Sequence, residues 1–300
     1  MRNRKGSGGV KKGSGKKRSP FSEIWKRLKK NKISIAALIF IIALFLIAIF
    51  ADLIADYNDV VIKNNISERL QTPGIKYLFG TDAFGRDIFA RIIHGSRISL
   101  IIGLASTFLS VIGGGIIGAV AGYYGGKIDN LLMRVSDIFM SIPALLLALA
   151  IVAALGPGIV NLTIALSVSQ IPAFGRLMRA QILTIRDNEF VEAARAVGTN
   201  NFEIITRHII PNAVGPIIVQ ATTSIAVAII AAAGLSYVGL GISPPRPEWG
   251  TMLAEGREYM RQHTHMVIIP GVAIVLSALS FNLLGDGLRD ALDPRLRGSK

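Results

Sequence analysis

Residues Asn188 to Asn212 read NEFVEAARAVGTNNFEIITRHIIPN, and this stretch decides how the chain is divided. It is polar and lies between two long apolar segments. On one side, Ile138 to Gly175 contains no charged residue; on the other, Pro211 to Pro245 contains none. The insert therefore leaves the apolar phase and folds in water. Its own signals predict how. Asp187 is placed as an N-cap with Glu189 in the first turn. A short helix over Phe190 to Val197 follows, and Gly198 stands where a left-handed C-terminal cap is needed. Asn200 then caps a second helix, with Glu203 three residues on. Phe202, Ile205 and Ile209 share a face by helical spacing, and Pro211 is expected to end the helix. The product is helix, glycine turn, helix.

Working outward, charge-free runs long enough to cross a bilayer recur along the chain. Ile33 to Ile54 is the first span, charge-free as far as Ala51. A polar stretch from Ala55 to Arg97 with charges of both signs follows, and Ile98 to Gly126 is the second span. The 38 residues from Ile138 to Gly175 suit two spans divided at Gly156-Pro157-Gly158. Val214 to Leu240 is the fifth span and Met266 to Leu284 the sixth, after a second polar loop, Gly241 to His265. Six spans put both termini on one side. Residues 1–32 hold thirteen Lys or Arg against Glu23 alone, so nearly all of the net charge of +14 sits in this tail. By the positive-inside rule the termini and the insert are cytoplasmic. Residues 1–20 read as disordered, and Phe21 to Lys32 as a short basic amphipathic helix on the lipid surface.

Other function classes find little support. No cysteine is present, so disulfides, thiol nucleophiles and Cys-ligated metals are excluded. A proton- or ion-coupled transporter buries charged residues at mid-membrane, and the apolar cores above contain none. The four histidines fall in loops, without HExxH or GxSxG. Gly13-Ser14-Gly15-Lys16 resembles part of a P-loop, but Val10 and Lys17 occupy its first glycine and Ser/Thr positions. The hairpin also fits helix-turn-helix spacing through Ala194 and Gly198. Its second helix, however, offers base edges only Arg207 and His208, so nucleic acid is not expected as a partner. Gly113 to Gly118 with Gly122 gives small-xxx-small spacing in the second span, the pattern of close helix crossing. Pro143 and Pro172 lie inside apparent spans and predict kinks. Asp137 reads as an interfacial cap.

Three motifs carry a family resemblance. Glu192-Ala193-Ala194, then Gly198, then Ile210-Pro211 resembles the EAA loop of ABC-importer permeases, with His208 and Ile210 off its pattern. Gly80-Thr81-Asp82-Ala83-Phe84-Gly85-Arg86-Asp87, continuing to Arg91, resembles the GTDxxGRD signature of peptide and nickel importer permeases. Asp286 to Arg295 is similar to that group's closing DxLRDxLDPR. The best match is the C-type permease of dipeptide/oligopeptide systems. The resemblance implies an all-α polytopic membrane protein with six transmembrane helices, the type I importer (MetI-like) transmembrane domain. That gives a basic tail (1–32), a first span (33–54), an extracytoplasmic loop (55–97) and a five-helix core (98–287) with the coupling loop at 176–212. A cytoplasmic tail (288–300) completes it. It also implies a transport subunit in the bacterial cytoplasmic membrane that performs no chemistry and binds no cofactor. ATP and Mg would be bound by two partner ATPase subunits, beside a paralogous B-type permease, an extracytoplasmic substrate-binding protein and membrane lipid. Glu192, Ala193, Ala194, Gly198, Phe202 and Pro211 would contact an ATPase subunit. The cargo would be di- or oligopeptides, with nickel or glutathione as the alternative. For Asp82, Arg86, Asp87 and Arg91 two readings stand: an ion-pair cluster that orders the outer loop, or contact with the binding protein.

Overall fold

The computed structural model describes residues 25–292. The expectations for residues 1–24 and for the end of the C-terminal motif lie outside the described residues. Within them the regular structure is helical, and a lone bridge between Thr81 and Asp87 is the only β pairing. The principal helices are α1 (Lys32–Ile49), α2 (Ile88–Tyr124), α3 (Gly126–Met140), α4 (Ala144–Leu155), α5 (Ile159–Ile185) and α6 (Glu189–Ala196). They continue with α7 (Asn201–Tyr237), α8 (Trp249–Gly256) and α9 (His265–Leu292).

Four of these, α1, α2, α7 and α9, are long and apolar enough to cross a membrane. A fifth span results if α3 and α4 count together as one broken span. The predicted six are therefore not confirmed. The sixth candidate, α5, has 27 residues, but Asn161, Thr163, Ser167, Ser169, Gln170, Arg176 and Arg179 make it too polar to qualify by composition.

Several boundaries shift for physical reasons. The first span ends at Ile49, and Ala51–Ile54 is a separate turn. Arg97 closes that end: its Nε donates to the Ala48 carbonyl (2.9 Å) and its guanidinium pairs with Asp52 (3.0 Å). The second span begins at Ile88, ten residues before the charge-free run, because Asp87 caps it through the Phe89 N–H (2.8 Å). Its first turns are polar yet buried, with His94 Nε2 2.8 Å from the Ala55 carbonyl. The third span does not start at Ile138. An amphipathic helix, α3, comes first and turns by 83° into α4, with Pro143 at the bend. Asp137 does not cap a helix; it pairs with Arg176. Pro172 lies inside α5, where no break occurs.

The most extensive seam joins α2 and α5. Gly114 and Gly118 press against Gly175 of α5, and a Cβ built at Gly118 would lie 2.3 Å from the Gly175 carbonyl oxygen. The glycine spacing predicted this approach. Side chains larger than hydrogen would force the helices apart, and lost dispersion contact is the main cost between helices in lipid. Ser110 Oγ adds a bond to the Ser167 carbonyl (3.0 Å) across the same seam.

Candidate functional site: the hairpin and the clasp

The insert folds as the hairpin its caps predict. Gly198 has φ +83°, the left-handed value. Its N–H donates to the Arg195 carbonyl (3.0 Å), and the Thr199 N–H to that of Ala194 (3.1 Å), which satisfies the end of α6. Asn200 Oδ1 accepts from the Glu203 N–H at 2.9 Å. Three details differ. Asn188, not Asp187, occupies the N-cap position of α6, and its side chain makes no cap bond. Ile204–Ile209 is a π-helical stretch. Finally, Pro211 does not end the helix: α7 runs unbroken from Asn201 to Tyr237.

The π stretch also corrects the predicted face. Its wider turn shifts the register of everything before it. Ile204, Ile205 and Ile209 turn inward, while Phe202 turns out at 77% exposure. The i→i−4 ladder cannot pass through Pro211, which has no N–H to give. The wide turn sits directly before it, and Asn212 Nδ2 takes up the His208 carbonyl (2.7 Å).

Beneath the hairpin lies an apolar core continuous with the spans. Val191 and Ala194 of α6 and the three inward isoleucines pack with Tyr123 of α2 and with Phe174, Met178 and Ile182 of α5. Polar contacts hold the same joint. Tyr123 donates its hydroxyl to Asn201 Oδ1 (2.7 Å), Arg195 lies over the Tyr123 ring, and Arg186 donates to the Gly122 carbonyl (3.0 Å). Arg179 makes a two-pronged ion pair with Asp129 of α3.

Of the residues expected at a partner surface, Glu192, Ala193, Gly198, Phe202 and Pro211 are exposed, and Ala194 is buried under them. Glu192 has no ion-pair partner among the described residues. Val197 (81% exposed) and Phe190 add to Phe202 an apolar surface that Phe202 alone did not suggest. Sequence reasoning missed Tyr123 and Asn201; an aromatic pair closing a charge-free run was the available signal.

At the opposite end of α2, residues 80–91 form a closed clasp. Asp82 Oδ1 accepts the N–H groups of Phe84 (2.9 Å) and Arg86 (3.0 Å). Its Oδ2 meets Arg86 Nε and an Arg91 guanidinium nitrogen, both at 2.7 Å. Both arginines also reach Glu255 of α8, at 2.8–3.0 Å. Two guanidinium groups thus face two carboxylates, with both arginines almost fully buried. Asp87 is not in this cluster. It caps α2, and burial holds its carboxyl above the usual carboxylate range against the pull of the Phe89 and Ala90 N–H groups. Thr81 ties the clasp to the preceding strand of chain, donating to the Glu68 carbonyl and accepting from the Gln71 N–H (2.9 Å). Gly85 admits no side chain, since a Cβ there would fall 1.7 Å from the Asn65 carbonyl oxygen. Gly80 is also tightly packed, with a Cβ there 2.4 Å from the Gln71 carbonyl oxygen and 2.8 Å from His265.

Glu255 belongs to the segment 241–265, which reads from sequence as a polar loop. It is instead a folded wedge. Glu248 caps α8 through the Gly250 and Thr251 N–H groups (2.9 Å each). Trp249 is fully buried among α1, α2, α7 and α9, donating to the Ile92 carbonyl (3.1 Å). An acidic cap followed by an eight-residue run signals the helix from sequence, though not the burial of Trp249.

The family described as the binding-protein-dependent transport system inner membrane component matches residues 114–298. A second, the N-terminal TM domain of oligopeptide transport permease C, matches residues 19–73. The dipeptide transport system permease protein DppC of Alkalihalophilus pseudofirmus is 47% identical, covering 93% of this chain and 91% of its own length. The di/tripeptide transport system permease protein DppC of Pseudomonas aeruginosa is 42% identical, covering 94% of each. The glutathione transport system permease protein GsiD of Escherichia coli is 44% identical, covering 94% and 92%. Among solved structures, a chain of the MetNI methionine ABC transporter in an inward-facing conformation superposes with a TM-score of 0.54 at 20% identity. That match covers 68% of this chain and 97% of the other, and shows a shared fold. A family match over more than half of the chain, joined by relatives this similar along nine-tenths of it, shows that the chain belongs to the inner membrane components of binding-protein-dependent transport systems.

Proposed function

We propose that this chain is the six-span permease subunit of a bacterial peptide importer, with α5 as the span that composition alone does not reveal. The cargo reading rests on the dipeptide and di/tripeptide relatives. Glutathione import is the second reading, favoured by the 44% identity to a glutathione permease; glutathione is itself a small peptide. In this proposal the chain performs no chemistry and binds no cofactor. ATP and Mg are bound by two ATPase subunits, a paralogous permease completes the path, and an extracytoplasmic binding protein delivers the cargo.

The observation that carries the coupling role is helical continuity. The exposed Phe202 lies in the helix that runs unbroken to Tyr237, with Val197 beside it across the Gly198 turn. A partner that grips this surface moves the span. Exposed apolar side chains beside an unpaired Glu192 suit a partner groove with an apolar pocket and a donor at its rim.

Two variants test this. Phe202→Ala removes an exposed ring, and Gly198→Val forces a β-branched residue into φ +83°. Both are expected to leave the subunit in the membrane and to lower peptide uptake per ATP hydrolysed by the assembled transporter. Wild-type uptake and ATPase stimulation in both variants would sink the coupling role. The cytoplasmic placement of the termini and the hairpin is tested separately. The chain has no cysteine, so Asn200→Cys is expected to react in intact cells only with membrane-permeant thiol reagents. Labelling by an impermeant reagent reverses the orientation.

A further inference from the structure

The core family match begins at residue 114, and α1 falls within the separate N-terminal match. Where α1 meets the core, the packing is incomplete. A cavity of about 460 Å³ lies between α1, the first turns of α2 and α9. Phe40 and Leu44 of α1, Phe89 and Ile92 of α2, Ala273 of α9, and Trp249 define its walls. Its lining is almost wholly apolar. The two hydroxyls present, Ser96 and Ser277, are already spent on the carbonyls of Ile93 (2.6 Å) and Ala273 (2.7 Å) of their own helices. The cavity therefore offers a ligand no polar contact.

We infer that this cavity holds an acyl chain of a membrane lipid, which fills the joint between α1 and the core. Size, position and chemistry support that occupant. An apolar cavity of ~150 Å³ takes up one benzene. The space here is about three times larger and suits an unbranched chain of roughly sixteen to eighteen carbons. Bulky Phe, Ile and Leu walls are also unlike helix–helix contacts in membranes, which use small residues. The mouth is continuous with the exposed surface of α1 and α9, since Ile47 of α1 and Ile268 and Val272 of α9 line the cavity and are themselves exposed. Phe79 and Phe89 meet edge-to-face at 5.3 Å where the cavity approaches the polar segment before α2.

The test uses the whole transporter complex reconstituted in vesicles of phosphatidylethanolamine and phosphatidylglycerol. The phosphatidylglycerol carries a diazirine midway along one acyl chain. After illumination, adducts are expected on Phe89, Ile92 and Ala273, as well as on the outward-facing Val275. In Ala273→Trp, which fills the cavity, adducts on Phe89 and Ile92 are expected to disappear while those on Val275 persist. If that variant fails to reach the membrane, Ala273→Leu provides the same comparison with a smaller fill. The inference is overturned by absence of adducts on Phe89 and Ile92 in the unmodified chain, by their persistence in the filled variant, or by recovery of another subunit's segment at these positions.

Discussion

Replacing Glu255 with alanine is expected to lower the thermal unfolding midpoint of the detergent-extracted protein by on the order of 10 °C. The clasp balances Arg86 and Arg91 against Asp82 and Glu255, and both guanidinium groups are out of water. Removing one carboxylate leaves a buried positive charge with no counter-charge, a loss of about 3–5 kcal/mol. Adding Arg86→Met to the same protein is expected to restore part of the midpoint, because Arg91 and Asp82 then balance one to one. A solvated surface pair would behave differently, since such pairs contribute about 0–1 kcal/mol. An unchanged midpoint in Glu255→Ala would show that the clasp is not the cluster described above. Because the clasp side chains are turned inward, they suit a scaffold that orders the segment before α2 better than direct contact with a binding protein.

Gly118→Leu is expected to abolish accumulation of folded subunit in the membrane. Its new Cβ would lie 2.3 Å from one backbone atom of α5 and 2.7 Å from Met178 Cβ. Overpacking of a core costs about 1–3 kcal/mol when side chains can yield; here backbone blocks the way, and α2 and α5 must separate. Gly115→Leu is the control. The same helix carries it, but its nearest neighbour is the flexible end of Met178 at 3.8 Å. Membrane fractions probed for the subunit should show Gly115→Leu near the unmodified level and Gly118→Leu depleted. Equal levels of the two would remove the seam as a determinant of the fold.

Local chemistry carried far in reading this chain. Gly198 and Asn200 announce the hairpin because caps are short-range devices, and Gly114, Gly118 and Gly122 announce a close crossing because the period of a helix is fixed. What was not legible depends on distant partners. Arg91 and His94 made the start of α2 look like loop, since the groups that neutralise or bond them stand at Asp82, Glu255 and Ala55. Phe202 pointed the wrong way because spacing arguments assume 3.6 residues per turn and the π stretch at Ile204–Ile209 breaks that assumption. Trp249 was hidden in a polar segment whose burial follows from the space between four helices.

The unbroken helix from Asn201 to Tyr237 has a mechanical consequence. At 1.5 Å per residue its 37 residues make a rod of ~55 Å. Tilting such a rod by ~10° about its hairpin end sweeps the far end through ~10 Å. Tyr237 at that far end lies under the Arg257 guanidinium, 5.4 Å from the ring centroid, immediately after the helix that bears Glu255. Under the proposed coupling role, a tilt imposed at the hairpin would therefore be felt as a displacement of the far end, beside the helix that closes the charged clasp.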